Sequence, residues 1–412
     1  MRSSRSTRVR RRSAAALAVS VLLVSGCGPG DTTPEDQVEQ AGAGGPADPG
    51  ASAGATDIPH HEENGLTVSG QLPPGEDHPP DLTTQQMHAL GDTSVFAIQG
   101  RRPDDYLGMG TGFVVDEDAG MAVTNAHVVQ GLAAISGRFN TGQKASLHVI
   151  ALDPCTDLAV VHFSSPLPEQ THPLVIGSSD AVTPGDTVTA LGYSTAPPDQ
   201  PSGQKLLIAS GLVNATKVPA QPQGAPEYKD TIQHGATVNP GSSGGPLLDH
   251  HGRVVGINTS TQFSGRNVVE EGQFYSIAID SARTEIVDKL LKGQSQNDMG
   301  WAVEEYYPGY FTALDPAGGP ALDARMARSG IEGGLYVKAV TPGSGASKAG
   351  IRPGMLITKI QNTSTATVAE MCAIVESVLP GTVAAVEGRY LLSDSERFDT
   401  QFYKEFALPG PH

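Results

Sequence analysis

Three short stretches hold residue types suited to nucleophilic chemistry. Residues 239–248 read NPGSSGGPLL, with Ser243 in the middle of a glycine-rich run. A serine hydroxyl attacks an acyl carbon only if a base takes its proton and donors hold the oxyanion that forms. The glycines serve the second need, because they let the chain turn until the amides of Gly241 and Ser243 converge on one point. The first need sends the search upstream, to TNAHVV at 124–129, with His127, and to TDLAVV at 156–161, with Asp157. The order His, Asp, Ser is one of the known chain orders for such a relay. Taken alone, GSSGGP is compatible with an ordinary glycine-rich turn. With both companions in order, it points to acyl transfer.

In that reading His127 takes the Ser243 proton during attack and returns it to the leaving group. Asp157 holds the imidazole in the needed tautomer and stabilises the imidazolium. The reaction needs neither metal nor cofactor, and neither is expected. His60-His61-Glu62-Glu63 lies in a tail with no second ligand cluster. His250 and His251 belong to DHHG, a hairpin turn between strands, and are read as turn residues.

The elements that must position these groups are mostly short strands. Residues 93–98, 108–115, 121–124, 145–151 and 158–163 form one β-branched set separated by turn residues. Residues 187–191, 206–214, 231–233, 246–248, 254–258 and 274–279 form a second. A short helical lead-in is expected over 82–90. Residues 281–292 switch to a helical period, with Ser281 as cap and Ile286, Val287, Leu290 and Leu291 on one face.

The chain has 412 residues, long enough for two or three domains. Its formal charge of −17 argues against a nucleic-acid binder. The N-terminus reads as a targeting segment: six arginines within the first twelve positions, then an apolar run over 14–24 that is too short to span a bilayer. VSGC follows, ending at Cys27. Residues 28–80 are small, polar and rich in Gly and Pro, and read as a tether with a root-mean-square span on the order of 40 Å. With Cys27 set apart, Cys155 and Cys372 remain, in different expected domains. Two separate buried thiols are the expectation, with a disulfide as the alternative for an exported protein.

The three motifs resemble the trypsin-like serine proteases, and most closely the HtrA/Deg branch, whose pattern is TNxHVV, DLAVL and NPGNSGGPL. IQHGATVNPGSSGG tracks that branch's IQTDAAINPGNSGG, departing at Ser242 and at His234-Gly235. The resemblance implies a mainly β fold: a trypsin-like double six-stranded β-barrel over 82–292, followed by an α/β PDZ domain over 298–409. For the latter, GGLYVKAVTPGSGASKAGIRPGMLI at 333–357 is similar to the PDZ string. Met299, Gly300 and Trp301 then fall at the carboxylate-binding loop and 367–379 at the groove helix. Residues 306–331 are an insertion able to remodel the groove. Trp301 is equally suited to groove and core. Residues 209–214 resemble the start of the loop that senses the PDZ domain. Thr237 lies where an acid would select basic side chains. With Val238 after it, a small or medium aliphatic residue is expected before the scissile bond.

VSGC resembles a bacterial lipobox, which makes residues 1–26 a signal peptide, Cys27 the lipidated N-terminus and 27–81 the tether. The function implied is an ATP-independent serine endopeptidase, extracytoplasmic and membrane-anchored by lipid. It would act on unfolded or damaged polypeptides and bind peptide C-termini at the PDZ domain. Trimers are frequent in the family, so a homotrimer is an open option. The alternatives are a catalytically idle, chaperone-like binding lipoprotein and a signalling protease with one substrate.

Overall fold

A computed structural model describes residues 81–102, 107–194, 205–259, 273–379, 381–391 and 400–408, all within one unit spanning Glu62–His412. The expected signal segment, the tether, Cys27 and the cluster at 60–63 lie outside the described residues. Strands β1 (Val95–Arg101), β2 (Leu107–Asp116), β3 (Met121–Thr124), β4 (Ala134–Phe139), β5 (Lys144–Asp153) and β6 (Leu158–Phe163) close into a barrel in the order β1-β2-β3-β6-β5-β4. Strands β7 (Thr187–Tyr193), β8 (Leu206–Ala220), β9 (Tyr228–His234), β10 (Pro246–Leu248), β11 (Val254–Thr259) and β12 (Phe274–Ala278) close a second, in the order β10-β11-β12-β9-β8-β7. The expected pair of six-stranded barrels is therefore present.

The near-continuous apolar runs follow from burial on both faces of a strand. Side chains alternate along a strand. Phe96 and Ile98 of β1 fill the first barrel, against Phe139 and Phe163, while Val95 and Ala97 face the seam between barrels. Ala159 and Val161 of β6 likewise point inward, and Leu158 and Val160 point to the seam. Leu191, Tyr193, Leu248 and Ile257 meet them from the second barrel. The catalytic candidates sit along this seam.

Several local expectations are corrected. Helix α1 (Thr84–Ser94) takes Thr93 and Ser94 out of β1, and is closed at its start by a Thr83–Gln86 capping box. Strand β4, AISGRF, had no apolar alternation to reveal it. Ser281 is not a cap: α3 (Ile279–Asp288) begins at Ala278, and Ser281 Oγ donates back to the Ala278 carbonyl at 2.8 Å. Residues 209–214 lie within β8, paired to β7, rather than opening a loop.

The C-terminal region forms a sheet in the order β13 (Trp301–Tyr306), β14 (Gly334–Val340), β15 (Met355–Ile360), β17 (Val383–Tyr390), β18 (Gln401–Ala407), with β16 (Thr363–Ser364) on β15. The stretch over 306–331 folds into α4 (Tyr310–Leu314) and α5 (Gly319–Arg328). Tyr306, Phe311 and Met326 there make a separate small core with Leu356. A short α6 (Gly345–Lys348) precedes β15. Helix α7 (Val368–Glu376) starts at a Thr367–Glu370 capping box.

Cys155 and Cys372 are joined in a disulfide, not left as two thiols. The turn between β5 and β6 and the helix α7 come close enough for a bridge, with Cα atoms 5.3 Å apart. No local pattern announces a contact across 217 residues. Around it, Leu152 N–H donates to Ser295 Oγ at 3.2 Å and Asn297 Nδ2 donates to Asp153 at 3.1 Å. Burial pushes the Asp153 carboxyl up to about 6.

Gly131 completes this contact. Its φ is +76°, and a Cβ there would lie 2.6 Å from Ala339 Cβ and 3.2 Å from Ala302 Cβ, on β14 and β13. Gly131→Ala would impose left-handed strain and a clash together. A destabilisation of about 1–3 kcal/mol is expected, read as a lower denaturant midpoint than wild type. An unchanged midpoint would show that the close approach relaxes freely.

Candidate active site

His127 and Asp157 come from the first barrel and Ser243 from the second. Helix α2 (Ala126–Val129) follows β3 directly, and Asp157 sits in the turn before β6. The two segments are laced together. The Asp157 carbonyl accepts from Ala126 N–H at 3.1 Å and from Asn125 Nδ2 at 2.9 Å. Its Oδ1 accepts from His127 N–H at 2.9 Å. Asp157 itself has φ +57°, a sparsely populated conformation for a residue with a side chain, held here by these bonds. The outcome is that His127 Nδ1 lies 2.8 Å from Asp157 Oδ2 and 3.0 Å from Oδ1.

Asp157 is 2% exposed, while the His127 side chain keeps 41% of its surface open. That arrangement fixes Nδ1 as the donor and leaves the opposite ring nitrogen to act as base. Protein packed around the ring disfavours the imidazolium. The Asp157 charge and hydrogen bond outweigh this, so the His127 pKa lies above the ordinary imidazole value. A base works only when neutral, so activity should fall as pH drops through that raised pKa. The acid limb of kcat/KM is expected above about pH 6.5, measured by ester hydrolysis across pH. A midpoint at or below the ordinary imidazole value would contradict the geometry.

The turn before Ser243 has its own sequence logic. Ser242 N–H donates to the Asn239 carbonyl at 2.8 Å, with Pro240 and Gly241 between and Gly241 at φ +98°. This is a type II turn, with proline and glycine at the positions that favour it. It turns the Pro240–Gly241 peptide over relative to type I, and among the described residues Gly241 N–H has no protein acceptor. Strand β2 braces the turn from the other barrel. Thr111 N–H donates to the Ser243 carbonyl at 2.9 Å and Thr111 Oγ1 to the Gly241 carbonyl at 2.7 Å. Ser243 is 3% exposed, pinned through Gly244 N–H to the Asn258 carbonyl at 2.9 Å on β11.

His127 and Asp157 open onto a cavity of about 280 Å³ whose other wall includes Met299, Trp301 and Met371. Trp301 packs in the core, 1% exposed and edge-on against Phe406, and also lines this cavity. Gly300 N–H donates to Asp298 Oδ1 at 2.8 Å. Thr237 lines a different cavity, of about 220 Å³, with Asn239, Ser242 and Leu207. Val238 points into the core of the second barrel.

Among the described residues, one cluster has ligand atoms close enough for a cation. Asp81, His250 and His251 gather within 4.8 Å of one another at the hairpin turn. No helix among the described residues is long and apolar enough to cross a membrane.

Sequence reasoning missed Thr111, Asn125, Tyr228 and Thr259. Tyr228 OH donates to Asp157 Oδ2 at 2.8 Å and stands 3.1 Å from Thr259 Oγ1. Each is an unremarkable strand or turn residue in the sequence, and only the meeting of strands gives it a role.

Comparison with known proteins agrees with the two-barrel fold. Residues 110–257 match the model of the trypsin-like peptidase domain. The chain is 30% identical over 255 residues to a putative serine protease, HhoB, of Synechocystis, covering 61% of this chain and 56% of that protein. It is 32% identical over 281 residues to a probable periplasmic serine endoprotease, DegP-like, of Brucella suis, covering 68% and 50%. The chain thus spans about half the length of these relatives. Among solved structures, an HtrA-type protease, AlgW, with tripeptide aligns over 80% of this chain and 98% of its own, at 23% identity and a TM-score of 0.44. The seam between the two barrels, with the histidine and aspartate on one side and the serine turn on the other, therefore lies within a trypsin-like peptidase domain similar in sequence to the DegP-type serine endoproteases.

Proposed function

We propose that the chain is a serine endopeptidase in which Ser243 is the nucleophile, His127 the general base and Asp157 its orienting acid. The observation that carries this reading is the 2.8 Å contact between His127 Nδ1 and Asp157 Oδ2 in a domain whose Ser243 follows a type II Pro-Gly turn. Ser243 Oγ attacks the substrate carbonyl as His127 takes its proton. The amides of Gly241 and Ser243 hold the oxyanion. His127 then protonates the leaving amine, and water resolves the acyl-enzyme by the same route.

The C-terminal sheet and α7 serve as a PDZ-type peptide-binding domain. β13 is an edge strand, able to accept an extended peptide as an added strand, with α7 opposite. An incoming C-terminal carboxylate would compete with Asp298 for the Gly300 N–H. Substrates are unfolded or damaged polypeptides with an aliphatic residue before the scissile bond. Cys27 carries a lipid that anchors the chain outside the cytoplasm, a location in keeping with its periplasmic relatives. Protease and PDZ segments divide near residues 292–298.

The test is a fluorophosphonate probe on the soluble chain from residue 82, with the adduct mapped by mass spectrometry, alongside cleavage of an unfolded protein with and without C-terminal peptides. An adduct on Ser243 with cleavage is expected. No adduct and no cleavage in either condition would overturn the enzyme reading in favour of an idle, peptide-binding lipoprotein.

A further inference from the structure

We propose that Tyr228 is a positioning residue for Asp157, an inference that rests on the peptidase reading above. Tyr228 opens β9 in the second barrel, whereas Asp157 belongs to the first. Its side chain crosses the seam, 3% exposed, and donates its phenol O–H to Asp157 Oδ2 at 2.8 Å.

The carboxylate of Asp157 has two oxygens and must hold one orientation to keep His127 Nδ1 between them. Oδ1 accepts the His127 amide at 2.9 Å and lies 3.0 Å from Nδ1. Oδ2 lies 2.8 Å from Nδ1 and takes the Tyr228 hydroxyl. The amide on one oxygen and the phenol on the other fix the carboxylate plane against rotation. Thr259 Oγ1, 3.1 Å from the phenol oxygen, helps hold the hydroxyl itself. Because the amide comes from the first barrel and the phenol from the second, the imidazole keeps its aim only while the barrels stay in register.

The phenol also draws negative charge from Asp157. Removing it concentrates that charge on the bond to His127, which favours the imidazolium and moves the His127 titration to higher pH. Other charged groups near the cavity stay in place: Arg102 faces Glu304 at 3.7 Å and Lys338 faces Glu304 at 3.6 Å, while Asp153 is buried against Asn297. Tyr228→Phe alters none of them.

The experiment compares wild type with Tyr228→Phe. Phenylalanine fills the same space less one oxygen, so the fold is retained, and a thermal melt checks this. The expected result is a kcat lower by about 10- to 100-fold, the value of a lost hydrogen bond to a charged group, with KM unchanged. The His127 titration, followed by NMR of its ring protons, should move to higher pH, and the acid limb of kcat should move with it. A purely structural tyrosine would lower the melting temperature without moving either. If kcat stays within about twofold and the His127 titration does not move, the proposal is overturned. If wild type itself shows no Ser243-dependent turnover, the peptidase reading fails. The His127 titration, which needs no turnover, then decides the role of Tyr228 by itself.

Discussion

Replacing Ser243 with alanine is expected to lower peptide hydrolysis by about 10⁵- to 10⁶-fold while leaving the melting temperature nearly unchanged. The first half of that expectation follows from the proposed relay. Without Oγ there is nothing for His127 to activate, and what remains is binding and the oxyanion donors, which still supply some acceleration over water. The second half follows from the packing. The turn is held by main-chain bonds, from Thr111 N–H to the Ser243 carbonyl and from Gly244 N–H to the Asn258 carbonyl, and none of these uses the hydroxyl. His127→Ala should cost a similar factor, and the double variant should be hardly worse than either single one, because the groups act as a unit. Additive losses, or a single loss below about 10²-fold, would mean that the two side chains do not share a proton. The measurement is kcat/KM on a peptide substrate, with intact-mass analysis to rule out wild-type carry-over.

Reducing the Cys155–Cys372 bridge is expected to be the largest perturbation of stability that leaves every hydrogen-bonding side chain in place. The bridge closes a loop of 217 residues. The chain-entropy relation gives about 5 kcal/mol for such a loop, and typical measured values run about 2–4 kcal/mol. Among the described residues, the other links between the barrels and the C-terminal sheet include an exposed Lys229–Glu376 ion pair at 2.9 Å, an Arg102–Glu304 pair at 3.7 Å, the bonds of Leu152 and Asp153 to residues 295–297, and the packing at Gly131. An exposed ion pair contributes little. In calorimetry the oxidised chain should melt in one concerted transition. The reduced chain, or the Cys155→Ser/Cys372→Ser variant, should show an earlier, separate transition for the C-terminal sheet. Superimposable oxidised and reduced melts would remove the bridge from any account of how the two parts are held. The bridge also ties α7 to the turn that carries Asp157 two residues later, so the helix proposed as a groove wall and the orienting acid cannot move independently while it is intact.

Much of this was legible in one dimension. Strands β7, β10, β11 and β12 lie within a residue or two of the expected positions, because their apolar runs are bounded by Gly, Pro, Asn and Asp. β4 was illegible, since AISGRF takes its place from pairing with β1 and β5, not from its own pattern. Ser281 was misread as a cap because a cap signal is weaker than the strand feeding directly into the helix from Ala278. Val238 reads as a pocket residue from its spacing to Ser243, yet in the loop between β9 and β10 its side chain packs into the core of the second barrel.

The sequence by itself determined the chemistry on offer: a serine after Pro-Gly and within a glycine run, a histidine just past one strand and an aspartate before another, in an order that suits acyl transfer. These are local choices, and local backbone preferences are enough to express them. Only the tertiary structure decided that Tyr228 and Thr111 reach across the seam, and that Cys155 meets Cys372. Such contacts pair residues far apart in the chain, and their existence depends on how closed barrels dock, which short-range propensity does not encode.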